Sequence, residues 1–479
     1  MGERAEQLVG AVELGDVRLE RRVVEVVETF LTRPEATIPT ANSAWAATQA
    51  TYRLLANDAV RVEALVEGMG QATVQRCPSG EVLLAVQDTT SVDYTHHRGA
   101  AQLGPLEDPT HRGILLHTTL AVTAAGQPMG VVDQQVWERD PEQTGHRHQR
   151  HALPIEGKES VKWLHAMHAT IQRVGTRCPL VTVADREADI FDLFALAAEL
   201  PGDWVIRARH DRVLAAEPGV AEPAHLLTTL AAAPCLLQTT VAVSRQANRA
   251  AREAQVEVRV AEVALPPPAH AVQAHARWWA AHPEVAPVGP RTRAALTVGV
   301  VLVSEPHPPS GERALHWLLV TSLPLTTVDE ALTCVHYYRL RWLVERFHYV
   351  LKSGCHVEQL QLETAARLER ALVIYSAVAA WMLHATYQAR VAPEAPATVI
   401  MEDDAWRVLL TVHYPHRSLP PQPPTVREAL RLVAQLGGFL ARNGDGEPGV
   451  KTVWRGFTRL TDMLIAWRIF TSVSTPSPP

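Results

Sequence analysis

The stretch Ala331–His356, ALTCVHYYRLRWLVERFHYVLKSGCH, decides how the rest of the chain is read. Its apolar residues recur with helical spacing, which predicts one long helix over Val328–Ser353 closed by Gly354 as a C-cap. Tyr338, Arg341, Glu345 and Lys352 stand at offsets 0, 3, 7 and 14. At ~100° per residue they fall at about 0°, 300°, 340° and 320°, so four polar groups share one narrow face. Apolar burial does not require such a stripe. The segment sets four cations, Arg339, Arg341, Arg346 and Lys352, around one acid, Glu345. A lone carboxylate among cations suits a metal ligand beside phosphates; a solvated face with spaced ion pairs is the alternative.

Working outward, two more acids close apolar runs: Asp88 in EVLLAVQD (Glu81–Asp88) and Asp185 in LVTVAD (Leu180–Asp185). Strand ends that turn toward a helix place polar groups at a sheet edge. A single aspartate there more often caps a turn. Two carboxylates from strands and one from a later helix together suit a pair of Mg²⁺ ions ~4 Å apart. GILLHTTLAV and GVVDQQVW read as a hairpin, Ser160–Val174 and Ile190–Leu200 as helices, and WVIRAR (Trp204–Arg209) as a strand, giving the order βββαβαβ. LLQTTVAV, AQVEVRVAEVAL, AALTVGVVLV and LHWLLVTS, separated by Pro-rich breaks, make the next hundred residues β-rich. Helices are expected at Val12–Leu31 and Ala44–Leu55 before this block, and at Ala365–Tyr387 and Val426–Leu440 after it. The tail STPSPP reads as disordered.

Composition narrows the partners. The 479 residues carry 45 Lys+Arg against 51 Asp+Glu, a formal charge of −6, so any polyanion site must be local. Residues 1–70 hold 7 Lys/Arg and 11 Asp/Glu, a poor electrostatic match to DNA, whereas RARHDR (Arg207–Arg212) is a basic patch offering Arg207, Arg209 and Arg212. Five scattered cysteines without a CxxC argue against disulfides or zinc and fit a reducing cytosol. His96, His97, His111 and His117, with Asp93, match no zinc spacing. The start MGERAEQLVG shows no targeting segment, and Ala371–Leu383, interrupted by Tyr375 and Ser376, reads as a buried helix rather than a membrane span.

The element order with Asp, Asp and Glu at those points resembles the ribonuclease-H-like core of DDE transposases. The Tyr338-x2-Arg341-x3-Glu345-x6-Lys352 spacing resembles the insertion-sequence-four family, the group that includes the transposon-five transposase. QDTTSVDY (Gln87–Tyr94), EGKESVKW (Glu156–Trp163), ADREADIFDL (Ala184–Leu193), LGGFLARNGDGEPG (Leu436–Gly449) and IPTANSAWAATQATYRLL extend the likeness over nearly the whole chain. The resemblance implies an α/β fold: a ribonuclease-H-like core, a mixed sheet flanked by helices, interrupted by a β-rich insertion, with helical N- and C-terminal domains. The corresponding divisions are 1–75 for DNA-end binding, 76–212 for the first part of the core and 213–322 for the insertion. Residues 323–390 complete the core and 391–479 form a dimerisation segment.

The resemblance further implies a Mg²⁺-dependent enzyme that binds its terminal inverted repeats as a homodimer, nicks the 3′ strand, excises through a hairpin and joins the 3′ end to target DNA. Asp88, Asp185 and Glu345 become the ligands of two Mg²⁺ ions, with Mn²⁺ able to substitute. Tyr338, Arg341 and Lys352 become phosphate contacts, and Trp317 and Trp342 the aromatics beside a flipped base. No membrane is involved, and the place of action is the bacterial cytosol or nucleoid. An inactive DNA-binding regulator and a metal-dependent nuclease without strand transfer are the alternatives. The apolar stripe Trp454, Phe457, Leu460, Leu464 and Trp467 suits packing onto the protein's own core or a partner, and the resemblance implies a dimer contact.

Overall fold

The computed structural model describes residues 2–42, 44–97, 99–141, 153–215, 224–243, 252–268, 272–283, 285, 288, 294–442 and 444–474. The N-terminal part is helical: α1 (Gly2–Val9), α2 (Val17–Thr32), α3 (Ile38–Ala41), α4 (Trp45–Leu55) and α5 (Val62–Arg76). α2 starts at Val17 rather than Val12 because Asp16 caps it, its carboxylate accepting from Arg18 N at 2.9 Å.

A mixed sheet follows. Its strands are β1 (Leu83–Asp93), β2 (Gly104–Pro105), β3 (Arg112–Thr123), β4 (Pro128–Trp137), then α6 (Val161–Val174), β5 (Leu180–Ala184), α7 (Phe191–Glu199) and β6 (Asp203–Arg207). β4, β3 and β1 pair antiparallel, and β5 and β6 add on parallel to β1, giving the order β4-β3-β1-β5-β6. The parallel crossovers need covering helices, which α6 and α7 supply.

Residues 213–322 are β-rich, as the turn-punctuated apolar runs imply. α8 (Leu226–Ala232), β7 (Cys235–Val243), β8 (Arg252–Leu265), α9 (Val272–Ala281), β9 (Leu296–Ser304) and β10 (His316–Thr321) make it up. These strands do not form a separate sheet. β10 pairs antiparallel with β6, and β9, β8 and β7 continue outward, so the core sheet reaches ten strands among the described residues. α8 and α9 were hidden in the sequence by Ala- and Pro-rich composition.

The decisive segment departs from one straight helix. α10 (Val328–Leu340) and α11 (Trp342–Tyr349) meet at Arg341, where Arg341 N bonds Tyr338 O and Val344 N bonds Arg341 O, the tighter three-residue pattern. Val350–Gly354 then forms a π-helical turn, with Cys355 N on Val350 O at 2.9 Å. Gly354 is therefore inside the turn and is not the cap. The left-handed residue is His356, at φ 51°. Angular bookkeeping at 100° per residue thus fails beyond Tyr349.

α12 (Ala365–Val391), α13 (Asp403–His413), α14 (Val426–Leu436) and α15 (Val450–Ser474) complete the chain. α12 is buried nearly all round, as its apolar run predicts, and no described helix is long and apolar enough to cross a membrane. Its Tyr375 stacks on Phe30 of α2 at 4.4 Å, and its buried Arg370 donates to Val60 O, Leu55 O and Asp58, which ties the N-terminal helices to the core. The tail residues 475–479 lie outside the described residues.

In α15 the apolar stripe faces the protein's own interior. Trp454, Leu460 and Leu464 are buried and Phe457 is half-buried against the same core cluster; Trp467 is exposed. α14 and α15 approach through two glycines: a Cβ on Gly456 meets Val433 O at 1.8 Å, and one on Gly437 meets Thr452 O at 1.8 Å. Gly456→Ala must push the helices apart. Overpacking of this kind costs roughly 1–3 kcal/mol. Thermal melts are expected to show a clear drop in Tm for Gly456→Ala and none for Gly449→Ala, where a Cβ meets nothing within 4 Å.

Candidate active site

The sheet opens where β5 ends. The parallel register of β1 with β5 runs from Leu83/Leu180 to Val86/Val183, and Asp88 lies two residues past the last pair. β1 itself continues to Asp93, so Asp88 is not at a strand end as the sequence suggested; it is mid-strand, facing the gap left by its shorter neighbour. Asp185 follows β5 directly and caps a 3₁₀ turn, its Oδ1 accepting from Glu187 N at 2.8 Å. α11 crosses β1 and delivers Glu345 in its first turn.

Arg341, at the joint between α10 and α11, links the acids. Its guanidinium lies 3.5 Å from Asp88 Oδ2 and pairs with Glu345 Oε1. Burial disfavours its charge, but Tyr338, Glu345 and Asp88 outweigh this and hold its pKa above the ordinary arginine value. Asp88 shows the opposite balance. Burial first, then the charges of Asp185 and Glu345, push its carboxyl up to about 7, against the pull of Arg341 and the Thr89 N–H bond at 2.9 Å. The three acids therefore share one electrostatic site.

The remaining residues expected from the sequence distribute as follows. Tyr338 is buried and meets the half-buried Trp317 of β10 edge-on, with ring centroids 5.3 Å apart. Trp342, beside Arg341, is 37% exposed. Lys352, in the π turn, lies 3.7 Å from Glu358, whose Oε1 also accepts from Asp93 N at 3.2 Å. Arg207 donates to His316 O at 2.7 Å, and Arg209 is anchored through its backbone N–H to Asp189. Arg212 does not face outward with them: its guanidinium is bonded to the fully buried Asp189 at 2.5 and 2.9 Å, a structural ion pair. His111 pairs with Asp93 at 2.6 Å, while His117 is buried elsewhere in the sheet.

Sequence reasoning missed Glu358 and His348. Glu358 is six residues from Lys352, a spacing that only the π turn and the left-handed His356 bring together. His348 stands three residues after Glu345 and is fully buried; burial first, then Lys352 and Arg341, push its pKa down to about 3, so it stays neutral.

Among the described residues, no group of three His, Cys, Asp or Glu is placed to hold a metal ion as it stands, and Arg341 pairs with both Asp88 and Glu345. The donor chemistry nevertheless fits a divalent cation. Asp88, Asp185 and Glu345 offer only carboxylate oxygens, the donor type hard dications prefer.

A ribonuclease-H-like mixed sheet flanked by helices is the frame of metal-dependent enzymes that cut nucleic acid. Comparison with protein families agrees in three places: a transposase DNA-binding model matches residues 1–60, a transposase DDE domain model residues 131–383, and a transposase Tn5 dimerisation domain model residues 378–475. The chain belongs to the DDE transposase family, is Tn5-like, and is consistent with the insertion-sequence-four group. The family makes it dependent on a divalent metal, a DNA binder and a homodimer. DNA binding by residues 1–60 corrects the inference drawn from that region's acidic charge. Two of its acids are paired locally, Asp16 with Arg18 and Glu25 with Arg22, while Ile38–Asn57 contains no acid at all.

The raised Asp88 pKa gives a stability test. Because the folded carboxyl binds its proton more tightly than the unfolded one, the folded state holds the extra proton between pH ~4 and ~7, and stability falls as pH rises through that window. A shift from 3.8 to about 7 corresponds to up to ~4 kcal/mol above pH 7 and nothing below pH 4. Asp88→Asn is therefore expected to raise Tm in metal-free buffer at pH 8 and to leave it unchanged at pH 4, as read by calorimetry.

Proposed function

We propose that the chain is a cut-and-paste DNA transposase that binds its own terminal inverted repeats, nicks the 3′ strand, excises through a hairpin and transfers the 3′ end into target DNA. The observation that carries this reading is the cluster in which Arg341 pairs with both Asp88 and Glu345 beside Asp185. Asp88, Asp185 and Glu345 would hold two Mg²⁺ ions, or Mn²⁺ in their place, which when bound supply an activated oxygen nucleophile and stabilise the leaving oxygen. Each step is an in-line displacement at phosphorus, so one site serves them all. The place of action is the bacterial cytosol or nucleoid.

The chain's own residues do the positioning. Arg341 and Lys352 bring cations to the scissile phosphate, and Tyr338 is held by its edge contact with Trp317. Arg207 and Arg209 extend the phosphate track from β6. The exposed Trp342 offers the stacking face for a flipped base, and Trp317, against Tyr338, is the second aromatic assigned to that role. The exposed end of α15 at Trp467 supports a dimer contact through that end, not through the buried stripe.

Asp185→Ala and Glu345→Ala are each expected to abolish nicking while the end duplex still binds, because cations supply most backbone contacts. The wild-type chain, given a pre-cleaved end with a free 3′ hydroxyl, is expected to join it to target DNA. Normal cleavage in Glu345→Ala would refute the site. Cleavage without joining would identify a nuclease, and binding without either an inactive regulator.

The base-stacking role is separable. Loss of a stacking contact worth ~1–3 kcal/mol slows a step that depends on it by roughly 5- to 150-fold. Trp342→Ala is expected to slow hairpin formation by that factor and to leave first-strand nicking near normal, so nicked DNA accumulates on a denaturing gel. Equal loss at both steps rejects the assignment.

A further inference from the structure

The segment EGKESVKW (Glu156–Trp163) lies behind the sheet, at the start of α6, and its last two residues reach toward both catalytic aspartates. Lys162 is 7% exposed. Its Nζ lies 3.6 Å from Glu159 and 3.7 Å from Glu187, over the rings of Trp137 and Trp163 at 5.6 and 5.9 Å. Glu187 is the residue whose backbone N–H holds Asp185 Oδ1. Trp163 is buried and packs edge-on against His117 of β3 at 4.5 Å. His117 Nδ1 is hydrogen-bonded to Thr89 Oγ1 at 2.9 Å, and Thr89 N donates to Asp88 Oδ1. β4 fixes the turn itself, through Gln135 Nε2 on Lys162 O at 2.8 Å.

Two adjacent residues thus feed two chains of contact. One runs from Lys162 through Glu187 to Asp185, the other from Trp163 through His117 and Thr89 to Asp88. We infer that Lys162 and Trp163 form a brace that sets the orientation of both aspartates from the rear of the sheet, with Glu187, His117 and Thr89 as its links. These are positioning residues: Glu187 and Thr89 reach the carboxylate oxygens through their backbone N–H groups, and Lys162, Trp163 and His117 act through them. The physical reason for such a device is the repulsion within the site. Carboxylates that repel one another rotate apart unless each is fixed by donors, and partners of this kind typically change metal affinity or activity 10- to 100-fold when removed. A lysine enclosed by two indole rings is also a cation whose position is set by packing.

The inference rests on Asp88 and Asp185 being the catalytic aspartates, so Asp185→Ala is run in parallel. Lys162→Met keeps the stem and removes the charge; Glu187→Gln alters a side chain that is 55% exposed and does not threaten folding. Each is expected to slow nicking roughly 10- to 100-fold and to weaken Mn²⁺ binding, read directly by electron paramagnetic resonance, by a similar factor. The dissociation constant for the end duplex should stay within about twofold by this argument. Lys162→Arg is expected to recover most of the loss, and the double variant to be no worse than Lys162→Met, as one contact chain requires.

A simple charge effect has the opposite sign, since removing a cation near three acids tightens Mn²⁺ binding. Tighter Mn²⁺ binding in Lys162→Met, or unchanged nicking and Mn²⁺ binding in Glu187→Gln, overturns the brace. If Lys162→Met does not fold, Glu187→Gln alone decides. An inactive Asp185→Ala beside a normal Glu187→Gln overturns the brace only, whereas an active Asp185→Ala overturns the reading of the site on which it stands.

Discussion

Repulsion among three carboxylates is the constraint around which this protein is built. Asp88, Asp185 and Glu345 come from separate elements, and burial of Asp88 makes every negative charge nearby more costly. Arg341 relieves part of this by pairing with two of the three. The remainder is carried by donors: Thr89 N–H on Asp88 and Glu187 N–H on Asp185. The large sheet and its covering helices give these groups a rigid frame, without which three like charges would separate.

The break at Arg341 and the π turn after Tyr349 follow from the same demand. The Arg341–Glu345 pair has the i,i+4 spacing that a regular helix brings together, but such a helix repeats its face every 3.6 residues and would not by itself turn Lys352 toward Glu358. Tightening at Arg341 and widening at Val350–Gly354 adjust the two ends independently. π turns inside helices occur frequently at functional sites. Glu358 closes the loop by holding Lys352 and the backbone of Asp93 together, which joins the far end of β1 to the helical segment that crosses it.

Much of this was legible in the sequence because periodicity and strand-end acids are local signals. The βββαβαβ order and the buried α12 could be read from apolar spacing alone. What was not legible depended on distance in space. Nothing in the order of residues indicates that β10 pairs with β6, and therefore that the β-rich segment extends the core sheet. The stripe on α15 has the periodicity of an amphipathic helix whether it packs on its own core or on a partner; only the close glycine contact with α14 shows which. Arg212 reads in the sequence as part of a DNA-facing basic patch because its partner, the buried Asp189, is 23 residues away.

Charge counting misled for a physical reason that bears on how this chain meets DNA. A polyanion responds to the field at its own surface, within a Debye length of roughly 8–10 Å, not to a domain's net charge. Most of the N-terminal acids lie on α1, α2 and the segments around them, where Arg18 and Arg22 already answer two. The stretch Ile38–Asn57 carries Arg53 and no acid, and its Trp45 is 71% exposed, so one face of an acidic domain is locally neutral to positive. At the Asp88–Asp185–Glu345 cluster acids and a cation are interleaved over the same short range, with Arg341 paired to two of the three acids. In both places the distribution over a few ångströms, and not the formal charge of −6, sets what a phosphate backbone encounters.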